Sequence, residues 1–323
     1  VSRAWARLHD LTYGPFGLAQ GSVHGARESR LVIGVGACGM PAVKQLVEEA
    51  TSLLTRAGSL SPQLDAEVLL GDVLKRGRVW LYAHGEATVD GASERKFRAL
   101  VARRSEGCPV AYLTGRKEFW SLELTVSPAT LIPRPETEHL IEESLAVINN
   151  RAGEVSVWDV GTGCGNIAVA LATSLPRVRV LATDVSPGAL AVAAENVRRL
   201  RVGNRVRLLA GDLDGPLAAE QFDLIVSNPP YVSDAEWACL PRGVREFEPA
   251  EALRAGADGL SLIRRLVSVA ARRLHRAGSL VFEIGSSMGE AVIELIERSG
   301  ELEVVRLVKD YAGHDRVVVA RLP

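Results

Sequence analysis

The sequence predicts an α/β protein: an open, mostly parallel sheet covered by helices on both faces, preceded by a small helical domain and joined to it by a β-hairpin connector. Three observations predict it. Apolar residues recur at helical spacing as far as about Arg104, a short alternating stretch follows at 118–127, and beyond it apolar runs of strand length alternate with helical patterns. Strands buried on both faces read as continuous apolar runs, and a sheet of this kind binds ligands at the carboxyl ends of its strands.

A chain of 323 residues, 47% of them apolar, is long enough for two domains. Residues 1–39 are rich in Gly, Arg and Ser, keep no period and stop just before Met40. We expect a poorly ordered extension there, with the functional chain starting at Met40. Residues 40–112 form the helical domain, where Val43, Leu46, Val47, Ala50 and Leu54, then Ala66, Leu69, Leu70 and Val73, mark two apolar stripes. Ser61-Pro62 reads as an N-cap and first-turn pair. Residues 113–135 form the hairpin linker, because Phe119, Leu122, Leu124 and Val126 intermix with polar residues.

Residues 136–323 carry the sheet. Strands are expected at 155–160, 178–183, 206–210, 222–227, 280–284, 304–307 and 316–320, with helices at 166–174, 187–200, 259–274 and 288–298. The formal net charge of -1 argues against a general electrostatic grip on nucleic acid, and no direct nucleic-acid binding is expected. The pairs Arg103-Arg104, Arg198-Arg199 and Arg272-Arg273 read as solvated helix faces. Cys38, Cys108, Cys164 and Cys239 are scattered without metal-ligand spacing, as for free thiols in a reducing cytosol. No apolar run reaches membrane-spanning length, so we expect a cytoplasmic monomer with no membrane association.

Chemistry first enters where the strand at 155–160 ends, in Gly161-Thr162-Gly163-Cys164-Gly165-Asn166. Glycines let the backbone take positive φ and approach a ligand, while the following helix N-terminus offers free N–H groups. The dinucleotide fingerprint G-x-G-x-x-G needs glycine at the position held by Asn166. The pattern here is G-x-G-x-G, which suits a cofactor without phosphate, such as S-adenosylmethionine. Gly161, Thr162, Gly163, Cys164 and Gly165 are therefore the expected cofactor loop. Asp184, closing the next strand, is the expected acceptor for ribose hydroxyls, against the alternative of a helix N-cap before Ser186-Pro187. Asp212 and Leu213 follow the third strand as candidates for the adenine, against a plain turn through Asp214-Gly215.

The strand at 222–227 runs directly into Asn228-Pro229-Pro230-Tyr231. An amide or aromatic-amine nitrogen is a weak nucleophile because its lone pair is delocalised. Two acceptors must hold its N–H groups so that the lone pair faces the methyl donor. The Asn228 oxygen and the Pro229 carbonyl supply them, the prolines stiffen the stretch without adding donors, and Tyr231 offers a flat face. Asn228 also borders the expected cofactor. No metal is demanded, since a sulfonium already activates its methyl. The alternative is a proline turn without chemistry.

The run Asn228 to Tyr231 is shared by DNA adenine and protein glutamine methyltransferases, so it fixes the reaction rather than the substrate. The flanking segments Pro109 to Gly115, Glu118-Phe119-Trp120, Leu131 to Glu138, Glu248-Pro249, Gly256 to Leu260, Phe282 to Gly285 and Ala312 to Arg316 closely resemble the release factor glutamine methyltransferase family. The resemblance covers essentially everything from Met40 to the end. It implies a Rossmann-like class I S-adenosylmethionine methyltransferase sheet, S-adenosyl-L-homocysteine as product, and N5-methylation of the glutamine in the Gly-Gly-Gln motif of peptide chain release factors, with the helical domain helping to dock the factor. It also implies cofactor positions at Gly161, Gly163, Gly165 and Asp184 and a substrate site at Asn228 to Tyr231. At Leu213 the family often carries an aromatic residue. The alternatives are methylation of a ribosomal-protein glutamine, DNA adenine N6-methylation, and a non-catalytic module that binds S-adenosylmethionine or release factor.

Overall fold

The computed structural model describes residues 39–323 apart from positions 150 and 152, so all but the last residue of the expected extension, with Cys38, lies outside the described residues. The helical part contains α1 (Val43–Arg56), α2 (Pro62–Leu74), α3 (Arg78–Ala83), α4 (Gly91–Ser105) and α5 (Val110–Thr114). Each longer helix buries one stripe: Val43, Leu46, Ala50 and Leu54 of α1 meet Ala66, Leu69 and Leu70 of α2 and Phe97 and Val101 of α4. Pro62 opens α2 where its missing N–H leaves nothing unpaired.

Ser61 stands at the N-cap position ahead of Pro62, as expected, but its side chain does not cap the helix. Its hydroxyl accepts no backbone N–H and instead donates to Asp65 Oδ1 at 2.9 Å. Asp65 is buried and also accepts from Ser59 Oγ and, at 2.7 Å, from Arg104 Nε, so a carboxylate inside the first turn takes over the hydroxyl. Side-chain capping is found at Asp90, which accepts from the Ala92 and Ser93 amides ahead of the body of α4.

The connector is an antiparallel hairpin of β1 (Arg116–Phe119) and β2 (Leu122–Thr125). Its turn residues Trp120 and Ser121 both take left-handed φ, 54° and 58°, the backbone twist that two-residue hairpins favour. Trp120 is held there by its backbone N–H on Glu138 and its indole N–H on Ser174 Oγ. Pro135 then opens a 3-10 turn, Pro135–Thr137, that runs into α6 (Glu138–Asn149).

The remainder follows as β3 (Val155–Val160), α7 (Asn166–Ser174), β4 (Val178–Asp184), α8 (Pro187–Arg199), β5 (Val206–Ala210), β6 (Phe222–Ser227), α9 (Asp234–Cys239), α10 (Arg242–Arg245), α11 (Ser261–Arg273), β7 (Leu274–Glu283), α12 (Gly289–Ser299), β8 (Glu303–Lys309) and β9 (Asp315–Arg321). The seven strands stand in the order β5-β4-β3-β6-β7-β9-β8; pairs from β5 to β7 are parallel, and β9 joins β7 and β8 antiparallel. Successive residues of β3 feed opposite faces: Val157 packs with Ile167, Leu171 and Ile141, whereas Trp158 packs with Ile225, Ile263 and Leu280.

Two short helices, α9 and α10, were not legible in the periodicity; Ser233 and Glu236 form a capping box that starts α9. The arginine pairs divide. Arg198 is solvated beside Glu195, but Arg199 bonds Thr125 Oγ1 and Glu123 of the hairpin, Arg104 reaches Asp65, and Arg273 reaches Asp214. Arg272 pairs with the same Asp214, so four of these six arginines tie separate segments together, which spacing along one helix cannot show. Among the described residues no helix is long and apolar enough to cross a membrane.

Candidate active site

Between β3 and β6 the strand order reverses direction, and a crevice opens at their carboxyl ends. Val160 of β3 is paired in register with Ser227 of β6, and Ser227 Oγ donates to the Val160 carbonyl at 2.8 Å. The residues that follow, Gly161 and Asn228, therefore leave the sheet at the same level on neighbouring strands. Both line one cavity, together with Gly163, Asp184, Leu213 and Pro230.

The three glycines are needed for different reasons. All have positive φ, 71° at Gly161, 55° at Gly163 and 81° at Gly165. A Cβ on Gly161 or Gly163 would meet nothing within 4 Å, so these two leave an open cradle in the cavity wall, whereas a Cβ on Gly165 would sit 3.3 Å from Ala193 Cβ of α8. Thr162 is buried; its hydroxyl donates to Asp159 Oδ2 at 2.6 Å, and the Ala168 amide of α7 donates to the same oxygen. The other oxygen, Asp159 Oδ1, is buried without a hydrogen-bond partner. Burial pushes the Asp159 carboxyl up to about 7, against the Thr162 and Ala168 donors that stabilise its charge.

Asp184 ends β4 and faces the glycine loop. Its Oδ2 accepts from the Gly163 amide at 2.8 Å and its Oδ1 from the Ser186 amide at 2.9 Å. The cap of α8 is Ser186, whose Oγ accepts from the Ala189 amide, so Asp184 is not that cap. Asp212 lines the cavity but its exposed carboxylate pairs with Arg265 at 2.7 Å, while its carbonyl accepts from Gly215 in the turn the sequence also allowed. Leu213 is buried on the cavity wall with φ 49°. Cys164 also lines it; burial pushes its thiol up to about 12.

Asn228 donates from Nδ2 to Thr137 Oγ1 at 3.1 Å, and Thr137 donates to the buried carboxylate of Glu283 at 2.6 Å. Tyr231 also donates to Glu283, at 3.1 Å, and its ring is not on the cavity wall. Burial, and the negative charge of Glu283 next, push the Tyr231 phenol up. The segment after it is clamped by pairing: Val232 N–H donates to Leu253, Ala255 N–H donates to Val232, and a Cβ on Gly259 would lie 2.3 Å from the Tyr231 carbonyl. Glycine is required at 259 by that approach as well as by its φ of 74°.

The chain matches two family models, the PrmC N-terminal domain over residues 45–115 and the methyltransferase small domain over residues 140–240. It is 42% identical to the release factor glutamine methyltransferase of Rhodopirellula baltica over 280 residues, covering 85% of this chain and 95% of that protein. The chain belongs to the release factor glutamine methyltransferase family. The Escherichia coli release factor glutamine methyltransferase is 40% identical, with 85% of this chain and 97% of that protein covered. A solved release-factor-specific protein-(glutamine-N5) methyltransferase from Alicyclobacillus acidocaldarius is 30% identical, with a TM-score of 0.38 over 62% of this chain and 99% of that one.

The sequence marked the segments that hold Arg134 and Glu248 without giving either residue a place in the site, and it gave no signal for Val185 or Asn196. Arg134 lines the cavity and pairs with buried Glu248 at 2.5 Å; Glu248 also accepts from the Ile132 amide, so the Glu248-Pro249 segment ties the connector to the site. Val185 beside Asp184 is apolar yet 59% exposed on the cavity wall, a signal that exposure alone reveals. Asn196 of α8 is fully buried; it pairs with both the N–H and C=O of Thr125 and donates to the Cys164 carbonyl, joining hairpin and glycine loop. The motifs holding Thr137 and Glu283 stood out in the sequence, but their meeting did not.

Proposed function

We propose that this chain transfers a methyl group from S-adenosylmethionine to the side-chain N5 nitrogen of the glutamine in the Gly-Gly-Gln motif of peptide chain release factors. The observation that carries the reading is the emergence of Asn228-Pro229-Pro230 from β6 beside the glycine loop on β3, with Asn228, Pro230 and Gly161 to Cys164 lining one cavity. The pocket fits the cofactor: the open cradle at Gly161 and Gly163 admits an amino-acid end, Asp184 offers ribose acceptors, and Leu213 and Val185 offer apolar surface to adenine. Of the charged groups on the wall, Asp212 is paired with Arg265 and Arg134 with Glu248, which leaves Asp184 and Glu251 to favour a cation over a phosphate.

S-adenosylmethionine supplies a methyl already activated by its sulfonium. The chain's own part is positioning. Asn228 Oδ1 and the Pro229 carbonyl accept the two N–H groups of the substrate amide and turn its lone pair toward the methyl. Pro229 is buried and both prolines lack N–H groups, so the acceptors stay rigid. The helical residues 43–114, with Leu60, Val79 and Tyr82 exposed, dock the release factor in the cytoplasm.

The test is to incubate the protein with labelled S-adenosylmethionine and intact release factor and to locate the label by peptide mass spectrometry. Label on the Gly-Gly-Gln glutamine is expected. Label absent there but present on a ribosomal protein or on DNA overturns the substrate.

A further inference from the structure

We propose that Thr137 and Glu283 fix which way the Asn228 amide faces, so that it meets the substrate with its oxygen and not its nitrogen. This rests on the function proposed above and adds two positioning residues to it. An asparagine amide is nearly symmetric in shape, and its two ends differ only in hydrogen bonding. Presented with its NH₂ outward, Asn228 opposes the NH₂ of a substrate amide donor to donor. The correct orientation therefore has to be imposed from behind.

The imposing group is Glu283 at the end of β7, 1% exposed. It accepts from two hydroxyls, Thr137 at 2.6 Å on one oxygen and Tyr231 at 3.1 Å on the other. Each hydroxyl owns a single proton. Once Thr137 has given its proton to Glu283, its oxygen can only accept, and the partner at 3.1 Å is Asn228 Nδ2. The NH₂ of Asn228 is thereby committed to Thr137, which leaves Oδ1 for the substrate. The same carboxylate holds Tyr231, so both ends of the Asn228-Pro229-Pro230-Tyr231 run are tied to one buried acceptor. Burial raises the Glu283 carboxyl, while the Thr137 donor, the Arg316 charge and the Tyr231 donor act the other way.

Connectivity explains why the three residues come from separate segments. Thr137 lies in the 3-10 turn that ends the connector, Asn228 follows β6, and Glu283 closes the neighbouring β7. The connector thus reaches the reacting group through one hydroxyl.

The experiment compares wild type, Thr137→Val, Thr137→Ser, Glu283→Gln, Asn228→Ala and Thr137→Val/Asn228→Ala. Two readouts are taken: kcat for methylation of release factor with the dissociation constant of S-adenosyl-L-homocysteine, and hydrogen exchange of the Asn228 side-chain NH₂ by NMR of asparagine-labelled protein. Thr137→Val is expected to lower kcat about tenfold to a hundredfold, the range of one positioned hydrogen bond, with cofactor affinity within about threefold. Thr137→Ser, which keeps the hydroxyl, retains most activity. Glu283→Gln offers one acceptor oxygen where two hydroxyls need to donate, and it lowers kcat as well. In the Asn228→Ala background Thr137→Val has less than about a twofold effect, because its route to the substrate is gone.

The Asn228 NH₂ exchanges slowly in the wild type and faster in Thr137→Val and Glu283→Gln. Unchanged exchange in folded variants overturns the relay, as does a Thr137→Val effect that multiplies in full with Asn228→Ala. Should Thr137→Val fail to fold, Thr137→Ser and Glu283→Gln carry the same comparison. Wild-type protein that leaves release factor unmethylated but shows the protected NH₂ sinks the substrate assignment and leaves the relay standing.

Discussion

Asp184 Oδ2 accepts the Gly163 amide at 2.8 Å, so the acid that closes β4 also holds the loop that closes β3. Asp184→Ala removes a proposed ribose acceptor and this anchor together. We expect its dissociation constant for S-adenosyl-L-homocysteine to rise by at least about tenfold, since hydrogen bonds to a charged group are among the stronger ones. Calorimetric titration checks it, and an unchanged constant excludes Asp184 from the cofactor site.

Asn228→Ala separates binding from chemistry. Removing an acceptor used mainly in the transition state should cut kcat about a hundredfold or more while leaving cofactor affinity within about threefold. Single-turnover methylation of release factor measures the first and titration the second. Unchanged turnover contradicts the positioned-acceptor chemistry.

Asp159 makes stability depend on pH in a direction that can be worked out. Its folded value of about 7 lies above the ordinary carboxylate value because burial disfavours the charge. A group raised on folding contributes stability that is complete at pH below its unfolded value and is lost as pH rises through about 7. Asp159→Asn stays neutral throughout. The melting temperature of this variant minus that of the wild type, both without cofactor, should therefore increase between pH 6 and pH 8.5; a difference independent of pH is the contrary result.

Asn196→Leu strips partners from the Thr125 N–H and C=O and from the Cys164 carbonyl, in a fully buried position. Urea unfolding should show a loss of about 2–4 kcal/mol, the range for leaving several buried backbone groups unsatisfied. A loss under about 0.5 kcal/mol, the scale of an ordinary surface change, shows that the hairpin does not depend on this side chain.

Gly161→Ala and Gly165→Ala share a positive φ but differ in surroundings. Both carry left-handed strain of about 1–2 kcal/mol, and Gly165→Ala adds pressure on Ala193, 3.3 Å away. Gly161→Ala should unfold at the higher urea concentration of the two yet bind S-adenosyl-L-homocysteine weakly, because its methyl enters the cradle. Equal affinity to wild type for Gly161→Ala removes the cradle from the cofactor site.

What the sequence alone determined are the features set by neighbours along the chain. The apolar runs of β3 and β6 and the stripes of α1 and α2 follow from side-chain period, and Gly161 to Gly165 announce positive φ because other residues resist it. Asn228 to Tyr231 is legible because the acceptors it needs are consecutive. Tertiary structure alone decided what meets across distance. Thr137 lies 91 positions from Asn228 and 146 from Glu283, and no local period records that a hydroxyl, an amide and a carboxylate are joined by two hydrogen bonds. The same holds for Asn196 on Thr125 and Arg134 on Glu248: a buried polar group has to find a partner, but only the packed sheet determines which one.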